Sequence, residues 1–73
     1  MSVHKVTTRL QLERLRRGFS QTVLAAKAGR LSGSDISRFE NSYGRPYPAQ
    51  AERLAQVLGL QPDELLDPVD ERR

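Results

Sequence analysis

Apolar residues first recur at helical spacing near the start of the chain, where Leu10, Leu12 and Leu15 can share one broad helix face. Thr8 stands before them and a glutamine follows it three residues later, which is the pattern of a capping box at a helix N-terminus. We therefore predict a first helix over residues 8–17.

A second apolar segment follows Ser20, a residue type that commonly caps helix N-termini. We expect Val23 and Leu24 to face inward, while the alanines of this segment leave one side thin enough for another helix to approach. Gly29 stands where the helix must end and turn, a position that favours positive φ. The segment predicts a second helix that ends in a sharp turn.

A third segment begins with a second capping-box pair, Ser32 and Asp35, and continues with Ile36 and Phe39 as a buried pair three residues apart. This pattern predicts a short helix over residues 32–41. The outward positions of this helix are polar and carry little bulk: Gly33, Ser34, Ser37 and Arg38.

The rest of the chain predicts one loop and two more helices. Residues 42–48 contain one glycine and two prolines and are expected to form a loop. Pro48 suits the first turn of a fourth helix, whose apolar periodicity continues until Gly59. Pro62 then begins a last short helix that carries two leucines.

Together these segments predict an all-α fold, a compact five-helix bundle without strands. The domain is expected to span residues 8–67. Residues 1–7 are expected to form a flexible N-terminal lead, and residues 68–73 a frayed tail.

Composition restricts how so short a chain can be stabilised. The 73 residues contain no cysteine and one histidine, His4, so neither disulfides nor a cluster of metal ligands is expected. The absence of cysteine fits a reducing compartment, and no apolar run approaches the roughly 20 residues that span a bilayer. We expect a cytoplasmic protein that uses no cofactor, binds no membrane and acts on no small-molecule substrate. We expect no functional role for His4.

Charge is distributed unevenly along the chain. Residues 1–48 carry nine lysines or arginines against three acids, a balance of +6, whereas residues 49–73 carry three arginines against six acids, a balance of −3. A basic half joined to an acidic half is typical of a module that turns one face to a polyanion. Small basic proteins that bind no nucleic acid are also common, so charge alone leaves both possibilities open.

The stretch from Arg14 to Leu66 resembles the phage repressor/Cro (XRE-type) helix-turn-helix family, whose pattern reads R-x-x-x-G-x-S-Q, then L-A, a turn glycine and I-S-R-x-E. Several separate segments match this pattern in order and spacing. The matching residues are Arg14, Gly18, Ser20, Gln21, Leu24, Ala25, Gly29, Ile36, Ser37, Arg38 and Glu40, followed by Asn41, Pro46, Leu54, Ala55, Leu58, Gly59, Asp63, Glu64, Leu65 and Leu66.

The resemblance implies that the second helix crosses the DNA backbone while the third enters the major groove. It also implies a structural ion pair between Arg14 and Glu40. In the family pattern, the position of Gln21 corresponds to a residue that contacts phosphate, and the outward residues of the third helix correspond to residues that contact base edges. The DNA-binding residues expected on this basis are Gln21, Ser32, Gly33, Ser34, Ser37, Arg38, Asn41, Tyr43 and Arg45.

Two departures from the family pattern affect this interpretation. Seven steps separate Gly29 from Ile36, one more than is usual, so the turn near Arg30 is expected to be looser. The third helix also begins with small residues, so Arg38 is expected to contribute most of the direct readout, unless it is only a solvated surface charge. Tyr43 and its neighbour Tyr47 are expected to pack over the loop rather than touch sugar.

These features predict a sequence-specific DNA-binding transcriptional regulator, a repressor rather than an enzyme, that acts as a homodimer on double-stranded operator DNA. The alternative is a helical protein-interaction module, for example an antitoxin-like toxin binder, that has weak or lost DNA binding. The small recognition face and the longer turn favour this alternative, whereas the basic half of the chain opposes it.

Overall fold

Four α-helices make up most of residues 6–70, the part of the chain that the computed structural model describes. In chain order the elements are β1 (Val6–Thr8), α1 (Arg9–Arg16), α2 (Gln21–Ala28), α3 (Gly33–Glu40), α4 (Pro48–Leu58), a 3₁₀ helix (Pro62–Glu64) and β2 (Pro68–Asp70). The expectation for His4 lies outside the described residues.

The last short helix begins at Pro62 as predicted but is only a single 3₁₀ turn, so the described residues contain four α-helices and not a five-helix bundle. The carbonyl oxygens of Leu65 and Asp67 accept from the backbone N–H groups of Leu10 and Arg9, both at 2.9 Å, so they are taken by the N-terminus of α1. Pro68 follows and has no N–H to donate to a continuing helix. These bonds tie the end of the chain to its beginning.

Two short strands also correct the expectation of a fold without strands. β1 and β2 pair antiparallel, with Thr7 opposite Val69 and Thr8 opposite Pro68. They lie in segments where the sequence predicted a flexible lead and a frayed tail. Thr8 has two roles here, since it ends β1 and its side chain also accepts from the backbone N–H of Gln11 at 3.2 Å to cap α1.

The core is formed by all four α-helices and the residue that follows the 3₁₀ helix. Its largest fully buried side chains are Leu10, Leu24, Ile36, Leu54, Leu58 and Leu65. Two residues expected to face inward do not, because Leu15 is 54% exposed and Val23 is exposed as well. At about 100° per residue, Leu15 lies far around α1 from Leu10, and the inward position one turn after Leu10 is occupied by Arg14.

Candidate nucleic-acid interface

The turn between α2 and α3 accommodates the additional residue through two successive positive φ angles. Gly29 ends α2 with φ +85° and donates its N–H to the carbonyl oxygen of Ala25 at 2.9 Å, and Arg30 follows with φ +62°. Leu31 then packs against the core. The longer turn is therefore an ordered connection that brings the chain directly to the N-terminus of α3.

A capping box fixes the start of α3, as the sequence predicted. The Ser32 hydroxyl accepts from the backbone N–H of Asp35 at 3.3 Å, and Asp35 Oδ2 accepts from the backbone N–H of Ser32 at 2.9 Å. The Ser32 backbone N–H is the main reason that the pKa of Asp35 lies below its ordinary value of 3.8. The Ser32 hydroxyl and the charge of Arg38 lower that pKa as well, with partial desolvation opposing them.

Gly33, the first residue of α3, lies against Thr22 of α2. A Cβ at this position would lie 2.8 Å from Thr22 Oγ1, which is too close without a shift of the threonine side chain. The absence of a side chain at Gly33 therefore allows α3 to pack against Thr22. The sequence analysis missed this role, because the pattern showed Gly33 only as an outward residue of α3. The small residues along the two helices signalled close packing in general but not this contact.

Arg38 extends from the exposed side of α3, and its side chain is 59% exposed. Arg38 Nη2 donates to Asp35 Oδ1 at 2.6 Å, a pairing that the sequence analysis did not anticipate, although the two residues stand three apart on one helix. Ser34 is also exposed, and Ser37 is half-buried. These three side chains form the part of α3 that can reach a ligand.

The end of α3 is a Schellman motif built on a serine rather than a glycine. Tyr43 N–H donates to the Arg38 carbonyl oxygen at 2.8 Å, Ser42 N–H donates to the Phe39 carbonyl oxygen at 3.3 Å, and Ser42 has φ +63°. Asn41 adds a bond from Nδ2 to the Ser37 carbonyl oxygen at 2.8 Å. These bonds direct the following loop back along the exposed side of α3.

Two tyrosines of that loop point to solvent, which corrects the expectation that they pack over it. Tyr43 is 81% exposed and Tyr47 is 74% exposed. Together with residues of α3 and Arg45 they line a shallow groove beside the helix. We give the name candidate surface to six expected DNA-binding residues on α3 and this loop, all of them exposed or half-buried: Ser34, Ser37, Arg38, Asn41, Tyr43 and Arg45.

The expected ion pair between Arg14 and Glu40 is present and buried. Arg14 Nε and Nη2 donate to the two oxygens of Glu40 at 2.6 and 3.2 Å, and the side chains are 9% and 3% exposed. Arg14 Nη1 also donates to the Phe19 carbonyl oxygen at 2.8 Å. The pair therefore fixes the C-terminal end of α3 against α1.

Gln21, expected to contact phosphate, is tied into the same network. Its Nε2 donates to Glu40 Oε1 at 3.0 Å, which leaves the second amide hydrogen available at the N-terminus of α2. The structure thus places the Gln21 side chain against Glu40, the last residue of α3. Its amide is held in a fixed orientation by a buried carboxylate.

Other kinds of site find no support within residues 6–70. This part of the chain contains no group of three or more His, Cys, Asp or Glu side chains that could hold a metal ion. It also contains no helix with the length and apolarity needed to cross a membrane.

Two helices joined by a short turn, with the second presenting a polar, exposed side next to an arginine-bearing loop, define a helix-turn-helix protein. The profile of the helix-turn-helix domain family matches residues 6–68, and the chain belongs to this family. A search of curated proteins and a search of solved structures each found no match. Membership indicates DNA as the partner, and domains of this family are typically not enzymes.

Proposed function

We propose that this protein is a sequence-specific transcriptional regulator of the repressor/Cro type, which represses by inserting α3 into the major groove of an operator. The observation that carries the proposal is the exposed guanidinium of Arg38 on α3. It lies beside a loop that presents a second arginine, Arg45, and two exposed tyrosines. Guanidinium groups both recognise guanine edges and bind phosphate.

The candidate surface divides into base-reading and backbone-binding parts. Ser34, Ser37 and Arg38 face the bases in this proposal, because they lie on the outward side of α3. The loop residues Asn41, Tyr43 and Arg45 follow the phosphate backbone. A further backbone contact comes from Gln21 at the N-terminus of α2.

We further propose that the protein binds as a homodimer to a site with two-fold symmetry. A single domain of this size buries too little surface on DNA to reach useful specificity. In a two-fold dimer both copies of α3 enter the same face of the duplex, with half-sites about 34 Å apart.

Selection of bound duplexes from a random pool tests the proposal. We expect enrichment of a palindromic sequence, and Arg38→Ala should then weaken binding to this sequence more than binding to scrambled DNA. Arg45→Ala should weaken both duplexes equally, because a phosphate contact ignores sequence. Failure to enrich any sequence would refute a sequence-specific regulator.

A second candidate function is a protein-interaction module, and the exposed apolar side chains of Leu15 and Val23 favour it. Such a module, for example an antitoxin-like binder of a toxin, would hold its partner through apolar contacts. The affinity of such a module for its protein partner would depend little on salt concentration. Binding to DNA phosphates, in contrast, weakens steeply as the salt concentration rises. A salt titration of DNA binding therefore separates the two functions.

A further inference from the structure

The two oxygens of the Asp35 carboxylate serve different partners. Oδ2 accepts from the backbone N–H and the hydroxyl of Ser32, at 2.9 and 3.2 Å. Oδ1 accepts from Arg38 Nη2 at 2.6 Å. Ser32 and Arg38, the two residues that contact the Asp35 side chain, are both exposed. These hydrogen bonds therefore lie on the outside of α3.

We propose that Asp35 is a positioning residue that orients the Arg38 guanidinium for base recognition, an inference that rests on the proposed function. An arginine side chain loses much conformational entropy when it is immobilised on a base. A carboxylate that holds one Nη group reduces this loss, and the other N–H groups of the guanidinium remain free to donate. The capping box holds the Asp35 carboxylate in place, so the orientation of the Arg38 guanidinium is fixed relative to the backbone of α3.

The same carboxylate should also disfavour binding to unselected DNA. Asp35 carries a negative charge on α3, the helix proposed to enter the groove, where phosphates repel it. Asp35 would thus increase specificity in two ways: it orients Arg38 for the correct base, and its charge weakens binding to DNA that offers only phosphate contacts. Asp35 should therefore affect the ratio of specific to non-specific affinity more than it affects affinity itself.

Substitutions can separate this role from the capping role. Asp35→Asn retains an amide oxygen that can accept from the Ser32 N–H, but its NH₂ group cannot accept from Arg38. Asp63→Asn is the matched control, because it makes the same change of charge on the 3₁₀ helix, outside the candidate surface, and leaves the contact between Asp35 and Arg38 intact. Asp35→Gln provides a second uncharged variant, since glutamine is a favoured residue at this position of a capping box.

The experiment measures the affinity of each folded variant for the selected duplex and for a scrambled duplex at one salt concentration. Asp35→Asn and Asp35→Gln should lower the affinity ratio by at least about fivefold, the lower limit for losing one bidentate base contact. Asp63→Asn should leave the ratio unchanged. In an Arg38→Ala background, Asp35→Asn should cause a smaller loss of the ratio, because the group that it positions is absent and only the repulsion between its charge and phosphate is removed.

An unchanged ratio in both uncharged variants would overturn the inference, as would an equal loss of the ratio in the presence and absence of Arg38. Neither result would affect the proposed function if the wild-type protein still prefers its selected duplex. Absence of any preference in the wild-type protein would instead refute the proposed function and the positioning role with it.

Discussion

At the residue scale, Glu40 joins three helices through one carboxylate, which lies on α3 and accepts from Arg14 on α1 and Gln21 on α2. A buried carboxylate with a fixed partner is not expected to contribute much net stability over an apolar pair. Its removal is costly nonetheless, because the partner charge remains buried without compensation. The pair thereby specifies how the end of α3 sits against α1.

We expect Glu40→Ala to lower the free energy of unfolding by about 3–5 kcal/mol, because it leaves the Arg14 guanidinium buried and unpaired. Denaturant unfolding measures this loss. Glu13→Ala is the matched control, since Glu13 pairs with the more exposed Arg17 at 2.6 Å and its loss should cost less than about 1 kcal/mol. Equal effects of the two substitutions would contradict a structural role for the buried pair.

Asp35 predicts a specific pH dependence. The pKa of Asp35 is lowered in the folded protein, chiefly by the Ser32 backbone N–H, so its stabilising effect is present above the ordinary value of 3.8. That stabilisation should be lost as the pH falls through the folded pKa. The wild-type protein should therefore exceed Asp35→Asn in free energy of unfolding at neutral pH, and this difference should shrink below about pH 4. A difference that stays constant over the acid range would show that the carboxylate is not stabilised by folding.

At the element scale, the turns contain strain that can be relieved. Ser42 ends α3 with φ +63°, a conformation that costs an L-residue roughly 1–2 kcal/mol. Ser42→Gly should raise the free energy of unfolding by about 0.5–1 kcal/mol, since glycine adopts this conformation without strain but gains entropy in the unfolded chain. Ser42→Ala retains the Cβ and should bring no such gain. Thermal unfolding of both variants measures the difference, and equal midpoints would contradict the assignment of strain to Ser42.

The elements that could be predicted from sequence are those with local signals at their ends. Ser20 and Ser32 cap the helices that they were expected to cap, and Pro48 begins α4 as predicted. The length of the last helix could not be predicted from local sequence, because the carbonyl groups of Leu65 and Asp67 accept from the N-terminus of α1, more than 50 residues away in the chain. The pairing of β1 with β2 depends on the same long-range closure.

The candidate site was predictable in outline and not in its contacts. The helical pattern placed Ser34 and Arg38 on the outward side of α3, where the structure has them. The pairing of Arg38 with Asp35 was missed, although Asp35 stands three residues before Arg38 on the same helix, because the sequence analysis assigned this carboxylate only to the capping box. The helical pattern could not show that Tyr43 is exposed, since this depends on how the serine at the end of α3 directs the chain.

At the scale of the whole molecule, fold and charge act together. The sequence carries +6 over residues 1–48 and −3 over residues 49–73, and α2, the turn and α3 all belong to the basic part. The buried network and the caps hold α3 in place, and the loop after it presents Arg45 beside Arg38. We propose that through this arrangement the candidate surface binds both the backbone and the bases of DNA.

The salt dependence of binding to a mixed-sequence duplex tests whether the candidate surface binds DNA. The affinity of the wild-type protein should fall steeply, with the logarithm of the association constant linear in the logarithm of salt concentration. Arg45→Ala should reduce the magnitude of the slope by about one per monomer, while Arg53→Ala, the same charge change on α4 outside the candidate surface, should leave the slope unchanged. A wild-type slope near zero, or equal slopes for wild type and Arg45→Ala, would contradict DNA binding through the candidate surface.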